Sequence, residues 1–465
     1  MTQAAASIAF NTKLLPHQQR VVRRLLQVDQ SGLVVAHGLG SGKTATSILA
    51  QEAMGVDADI IVPAALIKNY QKEVARWAPG SSLRRNLVSM QAVVRDRTHL
   101  SLPLLIVDEG HRGRSELSQT AGYLEGCAFG RDKRRLVLTA TPFYDHPVDI
   151  MPLLEVASGG TAGSVATLKK GFEAIYMEAE LVWASWWGRW LSGAKPGVRW
   201  HLRQANAEGL RQDLHRYVDA HANSTAGFPR VRRTEVMVPM SEDQQREHDR
   251  LMRKAPEWVG LLVSSGLGPQ AKDAAAVNAF LTASRQVCDC WGAASPKLDA
   301  AVLRLQETLA SNPRAKVLVY SNFLGACLRP YAERLRTLGV PHVEFTGDEA
   351  KVARDLSVQR YNRGDVRVML VSSAGGEGLD LVGTRVVQVL EPAFNRSRTE
   401  QVEGRAIRYG SHAHLPEAEQ EVEVQSFMMR NRHGSGLSTD EYLAEMCRQK
   451  EALLGEFRAL LPRET

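Results

Sequence analysis

Residues 38–44 read Gly-Leu-Gly-Ser-Gly-Lys-Thr. A glycine-rich turn of this kind aims backbone N–H groups at phosphate oxygens, a lysine neutralises the β and γ charge, and the following hydroxyl can ligate Mg2+. Gly38, Gly40, Ser41, Gly42, Lys43 and Thr44 are therefore the expected nucleotide contacts, with Thr44 also a magnesium ligand. The strict G-x-x-x-x-G-K-[ST] spacing would want glycine where His37 stands, so the loop is the G-x-G-K-T variant. Further on, Asp108-Glu109-Gly110-His111 sets two carboxylates side by side after an apolar run. Asp108 can hold a divalent ion through water, and Glu109 can orient and deprotonate the water that attacks in line. Each signal alone also occurs in an ordinary tight or solvated turn. Together, one or two βα units apart, they spell hydrolysis of a nucleoside triphosphate with Mg2+ as its cofactor.

Such chemistry needs strand ends that hold the loop and the acids in place. Residues 32–37 (GLVVAH), 59–63 (DIIVP), 102–108 (LPLLIVD) and 135–139 (RLVLT) are short apolar runs bounded by turn residues, which suits strands buried on both faces of a parallel sheet. Residues 316–320 (KVLVY), 342–345 (HVEF), 366–371 (VRVMLV) and 385–390 (RVVQVL) read the same way. Helix-patterned segments alternate with both sets, which predicts two α/β domains, at 1–155 and 296–430. Residues 156–295 lack that rhythm, and their helical spacing predicts a mainly helical insertion. A helical tail is expected over 431–465, with Ser438 as an N-cap.

Composition narrows the function classes. The 465 residues are 44% hydrophobic and 23% charged, which excludes a disordered or fibrous chain and leaves room for two or three domains. No run approaches the roughly 18 uncharged apolar residues of a membrane span, and the N-terminus has no basic start followed by an apolar run. No membrane association and no export are expected. The 5 cysteines are scattered, which fits plain thiols in a reducing compartment such as the cytoplasm. Lys plus Arg is 58 against 51 for Asp plus Glu, a net charge of +7 that favours a polyanion partner.

The order of the motifs resembles the superfamily-two helicases, in particular their Swi/Snf-like branch and the compact helicase-like ATPases of large DNA viruses and phages. Residues 14–18 (LLPHQ) look like that family's adenine-recognition element, with Gln18 as the reader. Residues 62–77 (VPAALIKNYQKEVARW) are similar to motif Ia, which would bring Pro63 to the nucleic-acid backbone. Residues 138–142 (LTATP) resemble motif III, whose Thr139 and Thr141 would couple the nucleotide and nucleic-acid sites. In the second half YSNF at 320–323 and FTGD at 345–348 resemble motif IV and its neighbour, and they carry Ser321 and Gly347. SSAGGEGLDL at 372–381 is similar to motif V. The resemblance would place Ser373, Gly376, Glu377 and Gly378 near nucleic acid and nucleotide, and Asp380 near the ribose. EQVEGRAIRYGSH at 400–412 matches motif VI, whose Gln401, Arg405 and Arg408 would reach across the cleft, the two arginines meeting the γ-phosphate as fingers.

Two departures stand out: DEGH replaces the commoner DEAH, with Gly110 loosening the turn, and Asp380 replaces an asparagine. The resemblance implies two RecA-like P-loop domains with ATP in the cleft between them, in a bacterial or virus-infected cell. It also implies movement along nucleic acid, DNA rather than RNA, read through the backbone and so weakened by salt. The competing expectation is an ATP-gated binding switch, or a transcription or replication accessory, that separates no strands.

Other signals have plainer readings. Trp183, Trp186, Trp187 and Trp190 fall on one face of a helix, which suits packing, with a base-stacking or partner surface as the alternative. A protein partner, if there is one, is expected at 156–295. The tract 230–233 (RVRR) suits either a phosphate groove or a solvated face. Cys288 and Cys290 lack the second cysteine cluster that structural zinc needs, and His412 and His414 suit a solvated or phosphate-near loop.

Overall fold

The computed structural model describes residues 14–38, 40–96, 98–113, 133–160, 169–184, 195–222, 227–291, 295–372, 379–392, 396–433 and 436–462. The chain divides into two compact units. The first comprises Met1–Glu178, His201–Ser224 and Ala452–Thr465, and the second Ala179–Trp200 and Thr225–Glu451.

The strands of the first half are β1 (Gly32–His37), β2 (Ala58–Val62), β3 (Arg85–Ser89), β4 (Leu104–Val107) and β5 (Arg134–Thr139). They are followed by β6 (Met177–Val182), β7 (Gly197–Leu202) and β8 (Val218–His221). The first unit is built on a sheet ordered β3-β2-β4-β5-β1-β8, in which every pairing is parallel. Strand side chains alternate between its faces, and the two faces form separate cores. Leu33, Val35, Ile60, Val62, Leu104, Ile106, Leu136 and Leu138 pack on one side with Ile48, Ala50 and Ala53 of the helix Lys43–Met54. Val34, Ala36, Ile61, Leu105, Val107 and Val137 pack on the other with Phe143, Leu153, Leu154 and Phe172. Burying each such aliphatic side chain stabilises the fold by about 1.5 to 3 kcal/mol.

The second unit repeats this plan. Its strands are β9 (Arg230–Pro239), β10 (Lys316–Ser321), β11 (His342–Phe345), β12 (Val368–Ser372), β13 (Thr384–Val389) and β14 (Glu421–Arg430). They are ordered β11-β12-β10-β13-β14-β9, again all parallel. Val317, Val319, Val368 and Leu370 face one core, and Leu318, Tyr320, Met369 and Val371 the other. Both sheets therefore have the expected doubly covered α/β architecture.

The stretch 156–295 is divided in a way its composition did not predict. It holds the helices Lys169–Tyr176, Ala207–Tyr217, Glu242–Lys254, Glu257–Ser264 and Ala274–Asp289. It also supplies β8 to the first sheet and β9 to the second, while β6 and β7 pair as a separate ribbon. Strands at a sheet edge need little apolar surface, so β9 (RVRRTEVMVP), almost wholly exposed, carries the charges that blunt an edge and hide the strand signal. The half-buried edge strand β3 escaped the pattern for the same reason, whereas β14 lies inside its sheet and was missed because polar residues alternate with its apolar ones.

Residues 431–465 contain one described helix, Thr439–Arg458. Ser438 starts it with a capping box: the Glu441 amide donates to Ser438 Oγ at 3.2 Å, and the Ser438 amide to Glu441 Oε2 at 2.9 Å. Trp183 follows β6 in non-helical chain, and Trp186, Trp187 and Trp190 lie outside the described residues. Among the described residues no helix is long and apolar enough to cross a membrane.

Candidate nucleotide-hydrolysis site

The first sheet brings the chemical segments to one edge. The glycine loop follows β1, Asp108 and Glu109 follow β4, and Thr139 ends β5, so all three lie at the carboxyl ends of strands ordered β4-β5-β1. Ligands of parallel α/β sheets bind at that edge. Pro63 follows β2 at the same edge, and in the second unit Ser321 ends β10 and Gly347 follows β11.

Gly40 and Gly42 have φ of 74° and 77°, the left-handed region that a tight phosphate loop requires. A Cβ on Gly42 would also sit 2.4 Å from Nε2 of Gln18. The Gln18 amide lies over the loop, donating to Ser41 O at 3.1 Å while its Oε1 accepts from the Leu15 amide at 3.0 Å. His17 Nε2 lies 3.0 Å from the same Ser41 carbonyl. No side chain caps the helix at Gly42, and uncapped first-turn N–H groups are what an anion takes up. Lys43 Nζ donates to His37 O and Gly38 O at 2.9 Å each. Burial lowers its pKa, against the pull of Glu109 and Asp108. Thr44 occupies the first turn of the helix, and Leu39 lies outside the described residues.

Burial, and then the Glu109 charge beside it, push the Asp108 carboxyl up to about 7, although Lys43 opposes the shift. A nearly buried acid with a second carboxylate next to it is a place for a cation. With the open glycine loop, Asp108 and Thr44 therefore fit a phosphate-bound divalent ion. Glu109 is, among the described residues, the non-glycine residue with positive φ, at 53°. Nδ1 of His111 lies 3.3 Å from Glu109 Oε2 and 3.4 Å from Thr139 Oγ1, and Thr139 Oγ1 accepts from the Thr141 amide at 3.1 Å. DEGH and LTATP thus meet through one imidazole. Thr141 Oγ1 is buried without a hydrogen-bond partner among the described residues.

Gly110 does not loosen the turn as its type led one to expect. It is buried in the short 3-10 turn Gly110–Gly113, where a Cβ would come within 2.5 Å of Val137 Cγ1 and 3.3 Å of Leu153 Cδ2. The alanine of the commoner motif has no room here because Val137 of β5 fills its place.

In the second unit, Gln401 and Arg405 lie on the helix Arg396–Ala406, and Arg408 follows it. Arg408 Nη1 is 3.3 Å from Asp380 Oδ1, so the two expected site residues form an ion pair at the surface. Ser373, Gly376, Glu377 and Gly378 lie outside the described residues.

Residues 87–290 match the SNF2-related domain family, and residues 300–410 match the helicase conserved C-terminal domain. The chain belongs to the SNF2-related, Swi/Snf-like branch of the superfamily-two helicases. It is an ATPase of that superfamily. A protein of Acanthamoeba polyphaga mimivirus, named as an ATP-dependent RNA helicase, is 25% identical over 463 residues, 96% of each chain. The human DNA repair and recombination protein RAD54-like is 23% identical over 479 residues, covering 85% of this chain and 61% of that one. In fold, the Pyrococcus furiosus Hef helicase domain is similar at a TM-score of 0.50 and 13% identity, covering 90% of this chain and 96% of the other.

The structure also places the secondary signals of this SNF2-related ATPase, and His412 is the one it corrects. His412 is buried, with Nδ1 2.9 Å from Ser411 Oγ and Nε2 2.8 Å from Thr384 O, so it braces the segment after Arg408 and does not line a solvated loop. Arg232 and Arg233 of β9 pair with Glu423 at 2.7 Å and Glu403 at 2.6 Å, which ties the basic tract to its own unit. Cys288 is core, packed with Val238, Met240 and Met429, while Cys290 is half-buried. His17 lies against the Ser41 carbonyl, His221 O accepts from the Gly38 amide, and Asp219 holds His37 just before the loop; no motif flagged Asp219 or His221. Only their place on β8 reveals them.

Proposed function

We propose that the chain couples ATP hydrolysis to movement along DNA. The observation that carries the reading is the gathering of the Lys43 loop, Asp108 and Glu109 at neighbouring strand ends of one parallel sheet. Gly38, Gly40, Ser41, Gly42 and Lys43 bind the phosphates, and Gln18 meets the base. Thr44 and Asp108 hold Mg2+, which offsets phosphate charge when bound. Glu109 orients the attacking water and takes its proton, at a carboxylate anchored beside His111 Nδ1. Through that imidazole, Thr139 and Thr141 relay the state of the site toward nucleic-acid contacts that include Pro63. Ser321, Gly347, Ser373 and Gly376 are the contacts assigned to the second unit. Gln401, Arg405 and Arg408 supply transition-state charge, while Gly378 and Asp380 serve the nucleotide.

DNA is preferred to RNA because the chain matches the SNF2-related domain over 87–290. The relatives' names point both ways, one to RNA and one to DNA repair. The deciding experiment is the steady-state ATPase rate alone and with single-stranded DNA, duplex DNA or RNA, beside a Glu109→Gln control. Stimulation by DNA that the control lacks supports a DNA-driven motor, and the preferred strand form separates helicase from duplex translocase. Stimulation by RNA alone, or a rate indifferent to every nucleic acid, overturns it, the latter in favour of the ATP-gated switch. Deleting 156–295 cannot test a partner role for that stretch, since it would take an edge strand from each sheet.

A further inference from the structure

Asp219 joins two parts of the site that the motifs treat as separate. Its carboxylate, on β8, is 1% exposed. It accepts from Arg20 Nη2 at 2.8 Å and Nε at 2.9 Å, and from Arg24 Nη1 at 3.3 Å. The third partner is Nε2 of His37, at 2.8 Å. Arg20 and Arg24 belong to the helix Pro16–Leu25 that carries Gln18, whereas His37 is the last residue of β1, just before the glycine loop. One carboxylate therefore ties the helix that approaches the base to the strand that feeds the phosphate loop.

A second tie runs parallel to the first. The rings of His17 and His221, the latter two residues beyond Asp219, stack with centroids 3.8 Å apart and planes 10° from parallel. His17 and Gln18 in turn both reach the Ser41 carbonyl. Burial pushes the Asp219 carboxyl up, but hydrogen bonds from His37 and Arg20 outweigh it and hold the pKa at about 2. Burial also keeps the His37 imidazole below its ordinary value, so a neutral ring donates to a charged carboxylate. A buried charge is an expensive way to join three elements when apolar residues would serve. What it adds is direction, because hydrogen bonds fix angles and distances that apolar packing leaves loose.

We infer that Asp219 is a positioning residue for the nucleotide: by fixing the Gln18 helix against the loop at 38–44, it sets base selectivity and affinity and leaves the hydrolytic step alone. The inference rests on Gln18 as base contact and on the loop as phosphate contact. Phosphate contacts cannot tell one base from another, so selectivity needs the base-reading group held at a constant distance from them. A shift of about 1 Å is enough to lose a hydrogen bond.

The test uses the full-length chain with Mg2+ and titrates mant-ATP and mant-GTP into the parent, Asp219→Asn and Arg20→Gln, beside kcat and KM. Both variants should weaken mant-ATP binding about tenfold, the worth of one well-placed hydrogen bond, and narrow the ATP-over-GTP preference by a similar factor. Their kcat at saturating ATP should stay within about twofold of the parent. Unchanged binding and preference in folded variants, or a fall in kcat at unchanged affinity, overturns the inference. If Asp219→Asn does not fold, Arg20→Gln decides alone, since the Arg20 side chain is 33% exposed and lies outside the core. A parent that binds neither nucleotide overturns the site assignment, while a selective parent matched by both variants overturns only the role of Asp219.

Discussion

The Glu109 carboxylate lies 3.3 Å from Nδ1 of His111, on a backbone held at a φ of 53°. A non-glycine residue in that region costs of order 1 kcal/mol or more, and such strain gathers where chemistry needs a side chain aimed one way. Glu109→Gln should lower kcat at least about 100-fold while leaving the KM for ATP within a few-fold. It should also leave the thermal midpoint level or higher, because it removes the like charge beside Asp108. Steady-state kinetics and a melting curve on the same sample read both, and a parallel loss of rate and stability would move Glu109 from the chemistry into the fold.

Asp108 predicts a pH dependence with a definite sign. Its folded pKa is raised from 3.8 to about 7, first by burial and then by Glu109. A raised acid contributes stability that is complete below the unfolded value and is lost as pH rises through the folded one. The nucleotide-free protein should therefore lose stability from this group between pH 3.8 and about 7. Asp108→Asn should flatten that part of the curve in urea melts taken across pH.

Binding of Mg2+ with ATP reverses the preference, since a carboxylate near a dication must be ionised. Near pH 7 the parent should release a substantial fraction of a proton on binding. The measurement is the calorimetric enthalpy in buffers of different ionisation heat. A parent with no buffer dependence would remove Asp108 from the ion's surroundings, and removal of Mg2+ by chelation should abolish the effect.

The space around Gly110 yields a steric prediction. Gly110→Ala drives a methyl into Val137 and Leu153, and overpacking of that kind costs about 1 to 3 kcal/mol. Adding Val137→Ala opens the place and should recover part of the loss, with non-additivity in the denaturant midpoints as the readout. A single variant as stable as the parent would mean the turn can shift at no cost.

Lys297 is fully buried in the second unit and donates to Asp289 Oδ1 at 2.6 Å and Asp440 Oδ2 at 3.0 Å. Burial works against its charge, but the two carboxylates prevail and keep it an ammonium. Asp289, Cys327 and Glu391 bring ligand-type atoms within 4.8 Å of one another nearby, and the Lys297 charge acts on all three. Lys297→Met would strand buried negative charge and should cost about 3 to 5 kcal/mol, read as the urea midpoint of unfolding. Adding Asp289→Asn should return part of that. A loss no larger than that of a surface lysine would contradict the network.

The loop at 38–44, the acid pair and the central strands β1, β2, β4, β5, β10, β12 and β13 were legible in consecutive residues. Their causes are local: a phosphate loop is one turn of chain, and a strand buried on both faces must be apolar throughout. The edge strands β8 and β9 were not legible, because an edge tolerates charge and short length. For the same reason the true neighbours of the loop went unseen. Asp219 meets Arg20 across 199 positions of sequence, and Val137 meets Gly110 only because β4 and β5 lie side by side. The sequence by itself determined which groups can perform the chemistry, since that depends on residue type and close spacing. Which side chains brace them was decided by the order of strands in the sheet, and that order follows from how the whole chain buries its helices against both faces.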